Sequence, residues 1–227
     1  MTVKFQARGN RGEIWLYDQI GASFWGDGIT AKSFQKELTG LGKVTAIDLR
    51  VNSPGGDVFE GFAIYNQLAQ HPATVNVYVD GVAASIASII AMSGDKISMA
   101  KNSMMMIHNP QGAAYGDERE MDRVKALLQQ VKANLATTYV DRTGNSVKDI
   151  EAWMDDETWF TADGAVERGF ADSVISEQAV SACFDLSGFR NVPQFIKDRM
   201  SNATATPSLD IRRARITQQQ QRAANLA

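Results

Sequence analysis

Val75-Asn76-Val77-Tyr78-Val79-Asp80-Gly81-Val82-Ala83-Ala84-Ser85-Ile86-Ala87-Ser88 decides how this chain is read. Val75 to Val79 is β-branched at alternate positions and predicts a strand. Gly81 then turns the chain, and the Ala/Ser/Ile stretch behind it predicts a buried helix. Strand, glycine and helix in that order form the repeating unit of an α/β fold. Ser85 falls where the helix begins, beside backbone N–H groups without intrahelical partners and at the positive end of the helix dipole. Gly81, Ala83, Ala84 and Ala87 crowd it with small side chains, so another backbone could approach closely. Taken alone, such a serine is more often a helix cap or a tight helix contact than a nucleophile.

The same alternation extends in both directions. Gly12 to Ile20 reads as a strand, and Thr30 as the N-cap of a helix over Ala31 to Leu41 that Gly42 stops. Val44 to Val51 predicts a buried strand ending in the turn Asn52-Ser53-Pro54-Gly55-Gly56. Asp57 caps the helix Val58 to Gln70, and His71-Pro72 ends it. Beyond Ser85, Lys96 to Met99 and Met104 to His108 predict short strands. Tyr115 to Arg142 predicts a long helix, with Met121, Val124, Leu127, Leu128, Val131 and Leu135 on one face. Gly144 stops it, Ser146 starts a short helix through Trp153, Thr161 caps a helix over Ala162 to Arg168, and Ser173 to Ile175 predicts a last strand. The order implies an α/β domain with largely parallel pairing.

Composition bounds the function classes. The 227 residues are 44% hydrophobic and 22% charged, enough for an enzyme-sized core. A net charge of -3 argues against wholesale attraction to nucleic acid or an anionic membrane surface. The single cysteine, Cys183, excludes an intramolecular disulfide framework and Cys-rich zinc sites. The polar stretch from Met1 to Asn10 does not read as a secretory signal, and the run Val82 to Met92 is about half the length a membrane helix needs. An intracellular protein without metal or cofactor is expected.

Three strand-end segments together can carry acyl-transfer chemistry, which needs a nucleophile, a base and donors for the developing oxyanion. Ser85 supplies the first. The paired glycines Gly55 and Gly56 can adopt positive φ and aim N–H groups at a ligand. His108, after the apolar Met104 to Ile107 and before Asn109-Pro110, is well placed as a general base. Each also has a plain structural reading, as a helix cap, a strand-to-helix turn and a satisfied turn histidine. His71 reads as structural.

The ordered set Asn52-Ser53-Pro54-Gly55-Gly56, Gly81-Val82-Ala83-Ala84-Ser85, Met106-Ile107-His108-Asn109-Pro110 and Thr161 to Asp172 closely resembles the proteolytic subunit of the Clp protease. The resemblance covers most of residues 12 to 180. It implies a Clp/crotonase-type fold of stacked β-β-α units and a Ser-His-acid triad with Ser85 as nucleophile and His108 as base. Backbone N–H groups of Gly56 and Ile86 would form the oxyanion hole. A protein substrate would lie extended between Gly55-Gly56 and the turn after His108 that begins at Asn109. The family has an aspartate where this chain has Glu157, preceded by Asp155 and Asp156. Glu157 is therefore expected as the third member, with the other two as alternatives. The resemblance also implies a homo-oligomeric ring, heptamer or stacked double ring, joined through the long helix.

After about Arg190 the character changes, which divides the chain into a peptidase domain at 1–190 and a polar extension at 191–227. Asn202 to Ser208 reads as a Thr/Ala/Pro linker, and Asp210 to Ala227 as an Arg- and Gln-rich tail, disordered or helical. The segment Phe184 to Phe189, this tail and Glu157-Thr158-Trp159-Phe160 resemble the phage branch of the family, the head maturation proteases. That implies cleavage of scaffold, capsid or portal proteins in the host cytoplasm or the assembling head. No Gly-x4-Gly-Lys-Ser/Thr phosphate loop occurs in the chain, so an ATP-independent enzyme is expected. The alternatives are a host-type Clp peptidase with a separate ATPase, a crotonase-fold acyl-CoA enzyme, a non-catalytic assembly module, and a Ser-Lys peptidase using Lys96 or Lys101.

Overall fold

A computed structural model describes residues 4–22, 28–176, 186, 188–194 and 196–197. Cys183, the Thr/Ala/Pro linker and the Arg/Gln-rich tail lie outside the described residues. The chain divides into a unit Met1–Asn191 and a second unit Val192–Ala227. In the second, the N–H groups of Ile196 and Lys197 both donate to the Pro193 carbonyl, at 3.0 and 3.3 Å, making one helical turn.

The first unit is a mixed α/β fold, the class expected from the sequence. Its elements are β1 (Lys4–Arg8), β2 (Arg11–Leu16), α1 (Ala31–Gly40), β3 (Ala46–Ser53), α2 (Val58–Ala69), β4 (Thr74–Ala84), α3 (Ile86–Ala91), β5 (Lys96–Ala100), β6 (Met104–Ile107), α4 (Glu118–Thr143), α5 (Val147–Asp155), β7 (Thr158–Thr161), α6 (Ala162–Glu167) and β8 (Ser173–Ile175). The main sheet runs β1-β2-β3-β4-β5-β8. All its pairings are parallel except the β1–β2 hairpin. Parallel neighbours need crossovers, which α1, α2 and α3 supply.

β4 positions everything that follows. Its first half, Asn76 to Val79, pairs with β5, and its second half, Val82 to Ala84, pairs with β6. β6 in turn pairs antiparallel with β7, so the sheet branches at Gly81. The segment Gly81–Ala84, which reads as a glycine turn leading into a helix, is thus strand. Alanine there follows strand pairing because β3 and β6 hydrogen-bond to both its edges, and tertiary pairing overrides its propensity. β1 and β7 are further strands that the pattern of the chain does not reveal.

The sequence reads the Val44–Val51 region as a buried strand, but β3 alternates instead. Ile47, Leu49 and Val51 are fully buried, while Asp48 and Arg50 are half-exposed on the other face. On that face Arg50 grips Asp80 through Nε and Nη2, at 2.8 and 2.5 Å, and Tyr17 donates its hydroxyl to the same carboxylate at 2.5 Å. The Asp80 side chain is fully buried, and burial pushes its carboxyl up from the usual range despite Tyr17 and Arg50.

The helix signals hold at most boundaries. Thr30, Asp57, Ser146 and Thr161 each accept backbone N–H bonds as N-caps, and Gly144 closes α4 in the left-handed conformation. α4 begins at Glu118 rather than Tyr115, because Asp117 caps it by accepting from Arg119 N and Glu120 N. Its apolar face is buried only in the second half, at Val131, Leu135, Ala136 and Tyr139, whereas Met121 and Leu127 stay 43% and 46% exposed. No helix among the described residues is long and apolar enough to cross a membrane.

Gly61 on α2 faces Ile86 at the start of α3, and a Cβ there would lie 2.1 Å from Ile86 Cγ1. Gly61→Ala is therefore expected to destabilise the fold by about 1–3 kcal/mol through overpacking. Gly40→Ala on α1 meets nothing within 4 Å and should be neutral or stabilising by up to about 1 kcal/mol. Urea denaturation midpoints of the two variants check this, and equal effects would contradict the packing described.

Candidate active site

Ser85 occupies a sharp turn between β4 and α3, with φ 56 and ψ -129. A non-glycine residue at such a conformation costs on the order of 1–3 kcal/mol and is held only by its surroundings. Here the Ser85 N–H donates to the Met106 carbonyl at 2.9 Å, continuing the β4–β6 ladder one residue beyond the strand. The Ser85 carbonyl accepts from Ser88 N at 3.0 Å and Ser88 Oγ at 2.6 Å. Ser88 Oγ lies 2.8 Å from the buried Tyr139 hydroxyl. Both peptide groups of Ser85 are thereby fixed, and its side chain caps no helix N–H.

Two residues past Met106, His108 leaves β6 and brings Nε2 to 2.8 Å from Ser85 Oγ. Burial pushes the imidazole pKa below its ordinary value, the Glu157 charge pulls it back up, and the Arg190 guanidinium opposes that pull. A neutral imidazole against a hydroxyl is what proton abstraction requires.

Among the three carboxylates before Trp159, Glu157 is the buried one, 1% exposed. It follows α5 with φ 48, a left-handed turn that throws the side chain inward. Its carboxylate accepts from Arg190 N at 3.0 Å, Asn191 N at 2.6 Å and, weakly, Trp159 Nε1 at 3.5 Å. Its influence on His108 is through space, from its charge. Asp155 is exposed and bonded by Lys132 Nζ at 2.5 Å and Asn109 Nδ2 at 2.7 Å, which hold its carboxyl below the usual range. Asp156 is exposed and caps α5, its carbonyl accepting from Asn191 Nδ2 at 2.6 Å. Lys96 opens β5, and Lys101 follows that strand, its N–H bonded to Ile175 O.

The glycine turn lies against Ser85. A Cβ at Gly55 (φ 93) would meet Ala84 O and Ser85 Cβ, each at 2.7 Å, and Ile86 N at 3.2 Å. One at Gly56 (φ 145) would meet Ile20 O at 2.0 Å. Glycine is needed at both positions for conformation and for space. The turn is braced by Ile20 N to Gly55 O at 2.8 Å, Asp57 N to Ile20 O at 2.9 Å and Ser53 Oγ to Asp18 O at 2.7 Å. Ile86 is the first residue of α3, where helix N–H groups have no intrahelical acceptor.

Asn109 borders a cleft of about 380 Å³ between the turn after His108 and α4, with Pro110, Met121, Val124 and Leu128 supplying apolar walls. Asn109 Oδ1 is buried without a partner among the described residues. Two supporting groups escape a reading of the sequence. Asn52, buried on β3, accepts from Val82 N at 3.1 Å where Gly81 leaves no room for a side chain. Phe189 stacks edge-on against His108, with centroids 5.5 Å apart. Asn52 carries a signal only through its place in the glycine turn, and Phe189 only as the end of the segment Phe184 to Phe189. Among the described residues, no group of three His, Cys, Asp or Glu side chains is arranged to hold a metal.

A neutral histidine on the hydroxyl of a serine at a strained strand-to-helix turn defines a serine hydrolase type of site. Comparison with known proteins supplies the family. The family model described as Clp protease matches residues 25–178. The ATP-dependent Clp protease proteolytic subunit of Bacteroides fragilis is 34% identical over 154 residues, covering 66% of this chain and 74% of the relative. Proteolytic subunit 1 of Protochlamydia amoebophila is 35% identical over 152 residues, 65% of this chain and 73% of the relative. Subunit 2 of Mycolicibacterium paratuberculosis is 31% identical over 135 residues, 59% and 68%. The chain belongs to the Clp protease family and is a serine-type endopeptidase of that kind, acting on protein substrates.

With its pKa lowered, the His108 imidazole gains its proton only below the ordinary value of about 6.5. Peptidase activity should be full above that pH and fall as pH drops through the lowered value. Glu157→Gln removes the charge that pulls the imidazole up, so the acid limb of kcat/KM should move to lower pH. Its plateau should fall by about 10²-fold or more. An acid limb that stays in place or moves up would show that Glu157 does not act on His108.

Proposed function

We propose that Ser85, His108 and Glu157 act as nucleophile, general base and orienting acid of an ATP-independent serine endopeptidase. The observation that carries this is the 2.8 Å approach of His108 Nε2 to Ser85 Oγ. Ser85 Oγ attacks the scissile carbonyl as its proton passes to His108. The tetrahedral oxyanion is met by the N–H groups of Gly56 and Ile86. His108 then protonates the leaving amine as the C–N bond breaks, giving an acyl-enzyme on Ser85. Water, deprotonated by His108, hydrolyses that ester and restores the hydroxyl. Substrate lies extended along Gly55-Gly56 and the turn that begins at Asn109, with one side chain in the adjacent cleft.

We further assign the chain to the phage head maturation branch, a reading supported by Glu157-Thr158-Trp159-Phe160 and the polar extension, with 1–190 as the peptidase domain and 191–227 as an appendage. Its substrates would be scaffold, capsid or portal proteins, in the host cytoplasm or the assembling head. The exposed Met121 and Leu127 on α4 support a homo-oligomeric ring, heptameric or doubled, through that helix. A second reading, a subunit of a host-type Clp peptidase driven by a separate ATPase, is favoured by the names of the relatives, which are called ATP-dependent.

Mass spectrometry of capsid and scaffold proteins incubated with wild type and with Ser85→Ala tests the proposal. Wild type alone should generate discrete new termini, and Ser85→Ala none. Cleavage only after a Clp ATPase and ATP are added would favour the second reading. Cleavage by Ser85→Ala at the wild-type rate would remove the assigned nucleophile.

A further inference from the structure

Residues beyond the last family segment reach the acid–base pair. Phe189 stands edge-on to His108 (5.5 Å, 69°) and to Trp159 (5.9 Å, 87°). It packs with Val82, Ala84, Met106 and Trp159 in an apolar cluster separate from the main core. The next two peptide groups face Glu157, with Arg190 N on Oε2 at 3.0 Å and Asn191 N on Oε1 at 2.6 Å. The Asn191 side chain adds a bond from Nδ2 to Asp156 O at 2.6 Å. Each Glu157 oxygen is thus held by a backbone donor from outside α5 and β7.

A glutamate has one more side-chain torsion than the aspartate of the family pattern, so its carboxylate direction must be set by its partners. Without residues 190 and 191 those two oxygens would be buried short of donors, which favours a flipped or withdrawn side chain. An imidazole likewise has a free ring rotation that a packed aromatic edge limits.

We infer that Phe189, Arg190 and Asn191 form a positioning clasp for the acid–base pair. Phe189 holds the His108 ring in the plane that meets the Glu157 carboxylate, and the two amides hold that carboxylate towards it. The clasp compensates for the longer acid, and it lies in the part of the chain that follows the region matched to the family, residues 25–178. The inference rests on the roles proposed for Ser85, His108 and Glu157.

The test uses the full chain and a fluorogenic peptide, measuring kcat and KM for wild type, Phe189→Ala and Phe189→Tyr. Both substitutions are repeated on a Glu157→Ala background. Phe189→Ala should lower kcat about ten-fold or more with KM within about two-fold, and Phe189→Tyr should recover most of the loss. On the Glu157→Ala background, where there is no acid left to align, Phe189→Ala should cost less than about two-fold. Unchanged or increased kcat, a loss confined to KM, or the same loss on both backgrounds would each overturn the clasp. If Phe189→Ala does not fold by circular dichroism, Phe189→Leu keeps apolar volume without the ring and is read the same way. Ser85→Ala is the control: activity there removes the nucleophile, whereas an inert Ser85→Ala beside a fully active Phe189→Ala removes the clasp alone.

Discussion

The pairing of the second half of β4 with β6 is the interaction on which the site depends. Val82, Ala84 and the N–H of Ser85 are laddered onto Met104 and Met106, so Ser85 and His108 leave neighbouring strands in fixed register. A slip of β6 by one residue would turn its side chains to the opposite face and take His108 away from Ser85. The 2.8 Å Nε2–Oγ approach follows from this strand pairing together with the turn at Ser85. Packing of α3 against α2, through Gly61 and Ile86, keeps the turn at Ser85 from relaxing.

Among the described residues, the non-glycine positions with positive φ are Ser85 and Glu157. Both belong to the site, and both are turned where a strand and a helix meet. Backbone strain therefore concentrates where side chains must be aimed, and the surrounding core stabilises it. Electrostatics follow the same division. Burial makes His108 a weaker base toward bulk protons, while the Glu157 charge partly restores its proton affinity. The exposed Asp155, tied to Lys132 and Asn109, has no such leverage on the imidazole.

Much of this was legible in the sequence, for identifiable reasons. Caps announce themselves chemically, and Thr30, Asp57, Ser146 and Thr161 each start the helix their hydroxyl or carboxylate suggests. The order of glycine turn, serine and histidine carries the family and the site together. Other features are long-range and have no local signature. Gly81 to Ala84 reads as a glycine turn leading into a helix and becomes strand because two neighbours pair with it. Asp48 and Arg50 interrupt an apparently buried run because one face of the sheet carries ion pairs instead of helices. Choosing Glu157 over Asp155 and Asp156 rested on motif position alone, and the burial that distinguishes it arises from the turn at φ 48. Phe189 closes the segment Phe184 to Phe189, but nothing in that segment points to His108, and its place there depends on the fold of the whole unit.

The central claim is that Ser85 is the hydroxyl activated by His108. Fluorophosphonate labelling with the adduct mapped by peptide mass spectrometry tests it most directly. The adduct should lie on Ser85, not on the nearby Ser53 or Ser88, and His108→Ala should slow its formation by about 10²-fold or more while the fold persists. An adduct on another residue, or an equal labelling rate without His108, would contradict the account.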